Sequence, residues 1–140
     1  MVSFRTALFA GCVTSLLSFV VASPVESDVG LVERAAQITH SGRATWFNPG
    51  LGACGFVDGD NSPIVAISHL IYGSGGNCNQ WMQVTNTANG KSVYVKTRDE
   101  CEGCGQYDID LSPSAFSSIG NLDTGVLNVQ WHFMAKGWSP

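Results

Sequence analysis

The sequence predicts an all-β domain whose sheet closes into a barrel. Five short segments rich in β-branched and aromatic residues follow one another, separated by Gly, Asn, Pro and Asp, and only one segment has helical features. Sixteen glycines fit the tight turns of such a domain. A closed barrel is expected because a domain of about 100 residues cannot protect many open strand edges in another way.

The five strands are predicted from composition and alternation. They are residues 43–47, 64–68, 81–86, 91–97 and 126–134. In the fourth strand Val93, Val95 and Thr97 alternate with more polar residues, as in a strand with one face inward. Asn89 and Gly90 form a dipeptide typical of tight hairpins, so the third and fourth strands are predicted to pair.

One helix is predicted after the fourth strand. Ser112 can cap it and Pro113 suits its first turn. Ala115, Phe116 and Ile119 then give an apolar stripe before a glycine ends the helix.

The N-terminal part of the chain is not expected to belong to the domain. An apolar run at 7–22 predicts a signal peptide over 1–22, since a membrane span needs about 20 apolar residues. Residues 23–36 are polar and predict a propeptide or a disordered segment. We expect the folded domain at 37–138, in a secreted, extracellular protein.

The charge pattern excludes several classes of partner. Residues 35–140 carry five Lys or Arg and eight Asp or Glu, a formal net charge of −3 without a basic stripe. Nucleic acid and membrane are therefore not expected as partners. Five of the acids fall between Asp99 and Asp110, where Glu102 and Asp108 are predicted to be solvated turn residues. No cofactor or metal is predicted, and we expect a monomer.

Four cysteines remain once the signal peptide is removed: Cys54, Cys78, Cys101 and Cys104. An even number in a small secreted domain predicts two disulfides. Three pairings are possible, and we favour Cys54–Cys78 with Cys101–Cys104. A zinc site or a redox dithiol at the CxxC of the second pair is less favoured, because no second CxxC and no βα unit accompany it.

Five motifs, taken together and in order, resemble a known family. They are GRATWF (42–47), ACG (53–55), GNC (76–78), VYVKTRD (93–99) and DLSPSAF (110–116). The chain resembles the double-psi β-barrel domain of expansins, barwin-like proteins and rare lipoprotein A. It is most similar to the small fungal expansin-like proteins called loosenins. The resemblance implies a six-stranded double-psi β-barrel with one or two short helices and two disulfides.

The resemblance also implies a polysaccharide-binding groove. Thr45, Asp99 and Asp110 match the groove threonine and the two groove aspartates of expansins. The aromatic residues that could stack on sugar rings are Trp46, Tyr72, Trp81 and Tyr107. For each aromatic residue, packing in the core or in a turn is an equally open interpretation.

Hydrolysis is not expected from this groove. Asp110 resembles the acid of the related family-45 endoglucanases, but their base would lie just after Thr45, where residues 46–50 contain no carboxylate. Asn48 cannot take a proton from water at neutral pH. We therefore expect a non-hydrolytic protein that binds and loosens cell-wall polysaccharide, such as cellulose, chitin or associated glucans.

Two alternatives stay open. Asp110 alone could serve as the acid of a lytic transglycosylase, which needs no separate base. A protein-binding module, either a cysteine-protease inhibitor or a secreted effector, could act through the loop at 48–62, with a secreted protease or host protein as partner.

Overall fold

Six strands form one closed barrel in the computed structural model, which describes residues 37–140. The strands are β1 (His40–Trp46), β2 (Ile64–Ser68), β3 (Trp81–Asn86), β4 (Ser92–Cys101), β5 (Ile109–Leu111) and β6 (Leu127–Phe133). Their order around the barrel is β1-β5-β2-β4-β3-β6. The predicted signal peptide and the segment at 23–36 lie outside the described residues.

The barrel combines parallel and antiparallel pairs. β1 pairs with β5, and β2 with β4, in parallel, while the other four pairs are antiparallel. The short β5 lies between β1 and β2 and joins two strands that do not pair directly. This arrangement confirms the six-stranded barrel that the family resemblance implies.

All five predicted strands are present; β2 and β3 have the predicted ends, and the other three do not. β1 begins at His40 instead of residue 43, and β4 continues to Cys101, four residues beyond the predicted end. β5 did not appear among the five segments because three residues are too few to show alternation.

Two helices and a 3-10 turn complete the fold. They are α1 (His69–Tyr72), α2 (Pro113–Ile119) and the 3-10 turn Leu122–Thr124. α2 was predicted with its buried stripe, but the predicted capping bond by Ser112 was wrong. The Ser112 hydroxyl instead donates to the carbonyl of Ser62, which fixes the chain just before β2 against the start of α2. α1 was not predicted, and its first turn is capped by Ser68.

The core fills the barrel and extends beneath α2. Trp131 and Phe116 are its largest fully buried side chains. The indole Nε1 of Trp131 donates to the carbonyl of Tyr107 at 2.9 Å, so this polar atom is satisfied inside the barrel.

In the part of the chain that the structure describes, no helix is long and apolar enough to cross a membrane.

Both favoured disulfides are confirmed. Cys54 bonds to Cys78, and Cys101 bonds to Cys104. The first ties the loop between β1 and β2 to the segment before β3, and the second closes the turn that follows β4. Cys101 and Cys104 are bonded to each other, as the structural-disulfide interpretation of this CxxC predicts.

Candidate polysaccharide-binding site

Thr45, Asp110 and Asp99 lie in one row across four neighbouring strands. Thr45 pairs with Asp110 across β1 and β5, and Asp110 pairs with Ala66 on β2. Ala66 in turn pairs with Asp99 on β4. Directly paired residues place their side chains on the same face of a sheet, and the alternate residues such as Ile109 fill the core. We call Thr45, Asp110 and Asp99 the polar row, which lies on the outer face of the barrel.

A β-bulge is what puts Asp99 into this row. Thr97 pairs with Val65 and Asp99 pairs with Ala66, so Arg98 has no partner on β2. Because side chains alternate along a strand, Asp99 would share the inward direction of the buried Thr97 without the extra residue. The bulge reverses the alternation and turns Asp99 toward the face of Asp110.

Asp110 is a half-buried acid with a fixed hydrogen bond. The Thr45 hydroxyl donates to Asp110 Oδ1 at 2.9 Å. Burial raises the pKa of Asp110, the negative charge of Asp99 raises it further, and the hydrogen bond from Thr45 opposes both effects. Asp110 therefore keeps its proton to a higher pH than an exposed aspartate, so it can donate a hydrogen bond or a proton over a wider pH range.

Asp99 has a structural role as well as a place in the row. Its Oδ1 accepts hydrogen bonds from the backbone N–H groups of Ala53 and Glu100, both at 2.8 Å. The carboxylate thus ties the β1–β2 loop to β4. Its Oδ2 makes no hydrogen bond within residues 37–140.

Arg43 and Asp108 continue the same face, two residues before Thr45 and Asp110. Asp108 accepts hydrogen bonds from the backbone N–H of Arg43 at 2.8 Å and from its guanidinium at 2.9 Å. The side-chain bond from Arg43 lowers the pKa of Asp108. The prediction that Asp108 is a solvated turn residue was therefore wrong. Sequence reasoning missed Arg43, although its spacing from Thr45 on a strand already placed both residues on one face.

Two of the predicted aromatic residues lie at opposite ends of β1. Trp46 ends the strand, one residue after Thr45, and its indole Nε1 donates to the carbonyl of Leu122 at 3.1 Å. Tyr107 stacks on His40, at the start of β1, with ring centroids 4.5 Å apart. Both side chains are 37% exposed. Trp46 pairs with the buried Leu111, so its side chain leaves β1 on the face opposite to Thr45.

The other two aromatic residues sit on separate elements. The Tyr72 hydroxyl, on α1, lies 3.6 Å from Cys78 Sγ. Trp81 begins β3, and the Lys96 ammonium lies 5.0 Å from the centre of its ring. The four aromatic residues are therefore spread around the barrel, and glycan contact by each of them stays a prediction.

The position expected to hold a catalytic base is occupied by an amide bound to a carboxylate. Asn48 Nδ2 donates to Asp60 Oδ1 at 3.0 Å. Asp60 lies at the far end of the same loop, and sequence spacing did not reveal its bond to Asn48.

In the described part of the chain, no three His, Cys, Asp or Glu side chains are grouped as metal ligands would be.

The β1–β2 loop contains a small hairpin at residues 50–58, which we call the apolar hairpin. Leu51 pairs with Val57 in an isolated bridge. These two side chains are 75% and 78% exposed. The hairpin is held against β4 by Arg98, whose guanidinium lies 4.0 Å from the Phe56 ring centre and whose Nε lies 3.4 Å from Asp58 Oδ2.

Comparison with known proteins identifies relatives of two kinds. A papain inhibitor from Streptomyces mobaraensis is 30% identical over 120 residues, which are 81% of this chain and 80% of the inhibitor. The solved structure of a Streptomyces papain inhibitor matches with a TM-score of 0.62 and 30% identity, over 71% of this chain and 96% of that chain. An EG45-like domain containing protein from Citrus jambhiri is 33% identical over 110 residues, 70% of this chain and 84% of that protein.

An expansin is similar in structure. The crystal structure of a point variant of Clavibacter michiganensis expansin in complex with cellohexaose matches with a TM-score of 0.64 and 28% identity. The match covers 74% of this chain and 54% of the expansin, so the chain spans about half of that protein.

A family model described as lytic transglycolase, of the double-psi β-barrel type, matches residues 39–131. That range begins just before β1, ends within β6 and includes the whole polar row. This chain therefore belongs to that double-psi β-barrel family, as an expansin-like member.

Proposed function

We propose that this chain is a non-hydrolytic protein that binds cell-wall polysaccharide and loosens its packing. The observation that carries the proposal is the polar row, which presents the bonded pair Thr45–Asp110 and the free oxygen of Asp99 on one outer face. The expansin that shares this fold was solved with a cellulose oligosaccharide bound. Cellulose, chitin and associated glucans are the candidate ligands.

The spacing of the row suits an extended glycan. Neighbouring strands lie about 4.8 Å apart, so Asp110 and Asp99, separated by β2, have backbones roughly 10 Å apart. Ala66 between them carries only a buried methyl group, so the two carboxyl groups are the polar contacts that this part of the row offers. A glycan bonded to both carboxyl groups has fewer hydroxyl groups free to bond to its neighbours. Loosening would follow from this competition between hydrogen bonds.

The same geometry disfavours hydrolysis. Inverting hydrolysis needs an acid and a base on opposite sides of the glycosidic bond, roughly 6.5–9.5 Å apart. Asp110 and Asp99 lie in one row, so both approach a bound chain from the same side. Asp99 also accepts hydrogen bonds from two backbone N–H groups, so one of its oxygens is already engaged with the protein.

A pull-down on cellulose, chitin and peptidoglycan, with a reducing-sugar assay of the supernatant, tests the proposal. We expect retention on at least one glycan and no sugar release. Asp110→Asn should weaken retention, and Asp123→Asn, the same change at an exposed aspartate outside the row, should not. Release of sugars that Asp110→Asn abolishes would instead establish glycan cleavage with Asp110 as the acid.

A second candidate function is inhibition of papain-like cysteine proteases. It is favoured by the exposed apolar hairpin and by the match to papain inhibitors over most of their length. Titration of papain with the purified chain tests it. Inhibition at nanomolar to micromolar concentration would support it, and no inhibition would exclude papain as a target.

We also propose that the protein acts outside the cell, as a monomer. Two disulfides in a small domain are typical of oxidising compartments. The predicted signal peptide at 1–22 agrees with this location. Detection of the processed chain in culture medium would test secretion, and light scattering would test the oligomeric state.

A further inference from the structure

We infer that the apolar hairpin, residues 50–58, is the element that would enter the active-site cleft of a papain-like protease. The inference rests on the second candidate function. Leu51 and Val57 are the most exposed large apolar side chains in the part of the chain that the structure describes. Because they are paired in the bridge, the two side chains lie side by side on one face. A contiguous exposed apolar patch typically marks an interaction site.

The composition of the hairpin suits a narrow cleft. Residues 50–57 read GLGACGFV and contain no charged side chain. Gly50, Gly52, Ala53 and Gly55 keep the hairpin slender between its larger residues. The first charge that follows, Asp58, is paired with Arg98. The hairpin can therefore be buried by a partner without removing an unpaired charge from water.

The hairpin is also rigid before it binds. Gly52 N–H donates to the Phe56 carbonyl at 2.9 Å, and Asp58 N–H donates to the Gly50 carbonyl at 3.0 Å. Cys54, near its turn, is anchored by the disulfide to Cys78. A preformed element loses little conformational entropy on binding. The internal hydrogen bonds also keep its backbone from extending like a protease substrate, so it is suited to inhibit instead of being cleaved.

A protein cleft fits this patch better than a sugar. Sugar rings pack on flat aromatic side chains, whereas Leu51 and Val57 are branched and aliphatic. Phe56 is the aromatic residue of the hairpin, and one face of its ring is covered by Arg98. Aliphatic side chains fill apolar subsites such as those that receive substrate side chains in papain-like proteases.

The test is papain inhibition by the wild type and by the double variant Leu51→Ala/Val57→Ala. Both side chains are mostly exposed, so the variant should fold, which a thermal melt checks. We expect the inhibition constant to rise by about tenfold or more, with competitive kinetics for the wild type. Leu70→Ala, at an exposed leucine on α1, is the matched control and should inhibit like the wild type.

The outcomes separate the inference from the function on which it rests. If the wild type does not inhibit papain, the second candidate function fails for this target and the inference fails with it. If the wild type inhibits and the folded double variant inhibits equally well, the function stands and the assignment to the hairpin is overturned. Retention of the double variant on the glycan that binds the wild type would show that the hairpin acts apart from the polar row.

Discussion

Asp110 and Asp108 lie two residues apart on the same face, but their surroundings shift the pKa in opposite directions. Asp110 is half-buried beside a second carboxylate, and this raises its pKa. Asp108 is bonded to the side chain and backbone of Arg43, and this lowers its pKa. The two acids therefore have different uses. Asp110 keeps its proton to a higher pH than Asp108, and Asp108 holds Arg43 in place as a carboxylate.

The first prediction concerns this order of titration. Carboxyl carbon chemical shifts followed by NMR should show Asp108 ionising at lower pH than Asp110. The stability that Asp108 contributes is present above its unfolded pKa and is lost as the pH falls through its lower folded pKa. For Asp110 the contribution is present below the unfolded pKa and is lost as the pH rises through its higher folded pKa. Ionisation in the reverse order would contradict the described surroundings of both groups.

A second prediction isolates the bond between Thr45 and Asp110. Thr45→Val keeps the shape of the side chain but removes the hydroxyl that donates to Asp110. Since this hydrogen bond lowers the pKa of Asp110, Asp110 should titrate at a higher pH in the variant than in the wild type. The free energy of unfolding at neutral pH should fall by about 1 kcal/mol, because a half-buried carboxylate loses a donor. Thr124→Val, at an exposed threonine, serves as control, and an unchanged titration of Asp110 would refute the role of Thr45.

At the scale of secondary-structure elements, the β1–β2 loop depends on close backbone contact with β4. The Cys54 N–H donates to the Arg98 carbonyl at 3.2 Å, and the Ala53 N–H donates to Asp99. A Cβ atom on Gly52 would collide with the same Arg98 carbonyl. The β-bulge at Arg98 thus orients Asp99 and also offers the surface on which the loop rests.

Gly52→Ala provides the third prediction. The added methyl group meets backbone atoms that cannot move freely. The free energy of unfolding of the variant should therefore be about 1–3 kcal/mol lower than that of the wild type. Gly50→Ala is the matched control, because a Cβ atom there meets nothing within 4 Å. Urea denaturation of both variants measures the difference. Equal stability of the two would show that the loop does not pack against Arg98 as described.

The elements also show what the sequence could and could not predict. Alternation and composition identified five strands and α2, because each is long enough to carry a pattern. β5 and α1, with three and four residues, are too short for such a pattern. The bulge at Arg98 was also hidden, since it depends on pairing with β2 and not on local sequence. The polar row was predicted by resemblance, whereas Arg43–Asp108 and Asn48–Asp60 join residues far apart in the chain and required the structure.

For the whole molecule, the two disulfides should contribute unequally. Cys54 and Cys78 are 24 residues apart, and Cys101 and Cys104 are three apart. Loop-closure entropy assigns about 3.5 kcal/mol of stability to the first and about 2 kcal/mol to the second. Denaturation of the two double Cys→Ser variants should show this order. A larger loss of stability on removal of Cys101–Cys104 than on removal of Cys54–Cys78 would contradict this entropic explanation.

The molecule as a whole presents two surfaces of different chemistry around one loop. The polar row carries carboxyl and hydroxyl groups, and the apolar hairpin carries aliphatic side chains without charge. Asp99 connects them, since one of its oxygens holds the loop and the other belongs to the row. Substitution of Asp99 is therefore expected to disturb both surfaces, whereas substitution of Asp110 should disturb the row alone.

The central claim is that the polar row binds a glycan chain, and NMR mapping with a cello-oligosaccharide tests it most directly. Addition of the sugar should shift the backbone amide signals of Thr45, Asp99 and Asp110 most strongly. The same titration on Asp110→Asn should give much smaller shifts and the Asp123→Asn control should match the wild type. Shifts confined to the apolar hairpin, or full binding by Asp110→Asn, would contradict the account.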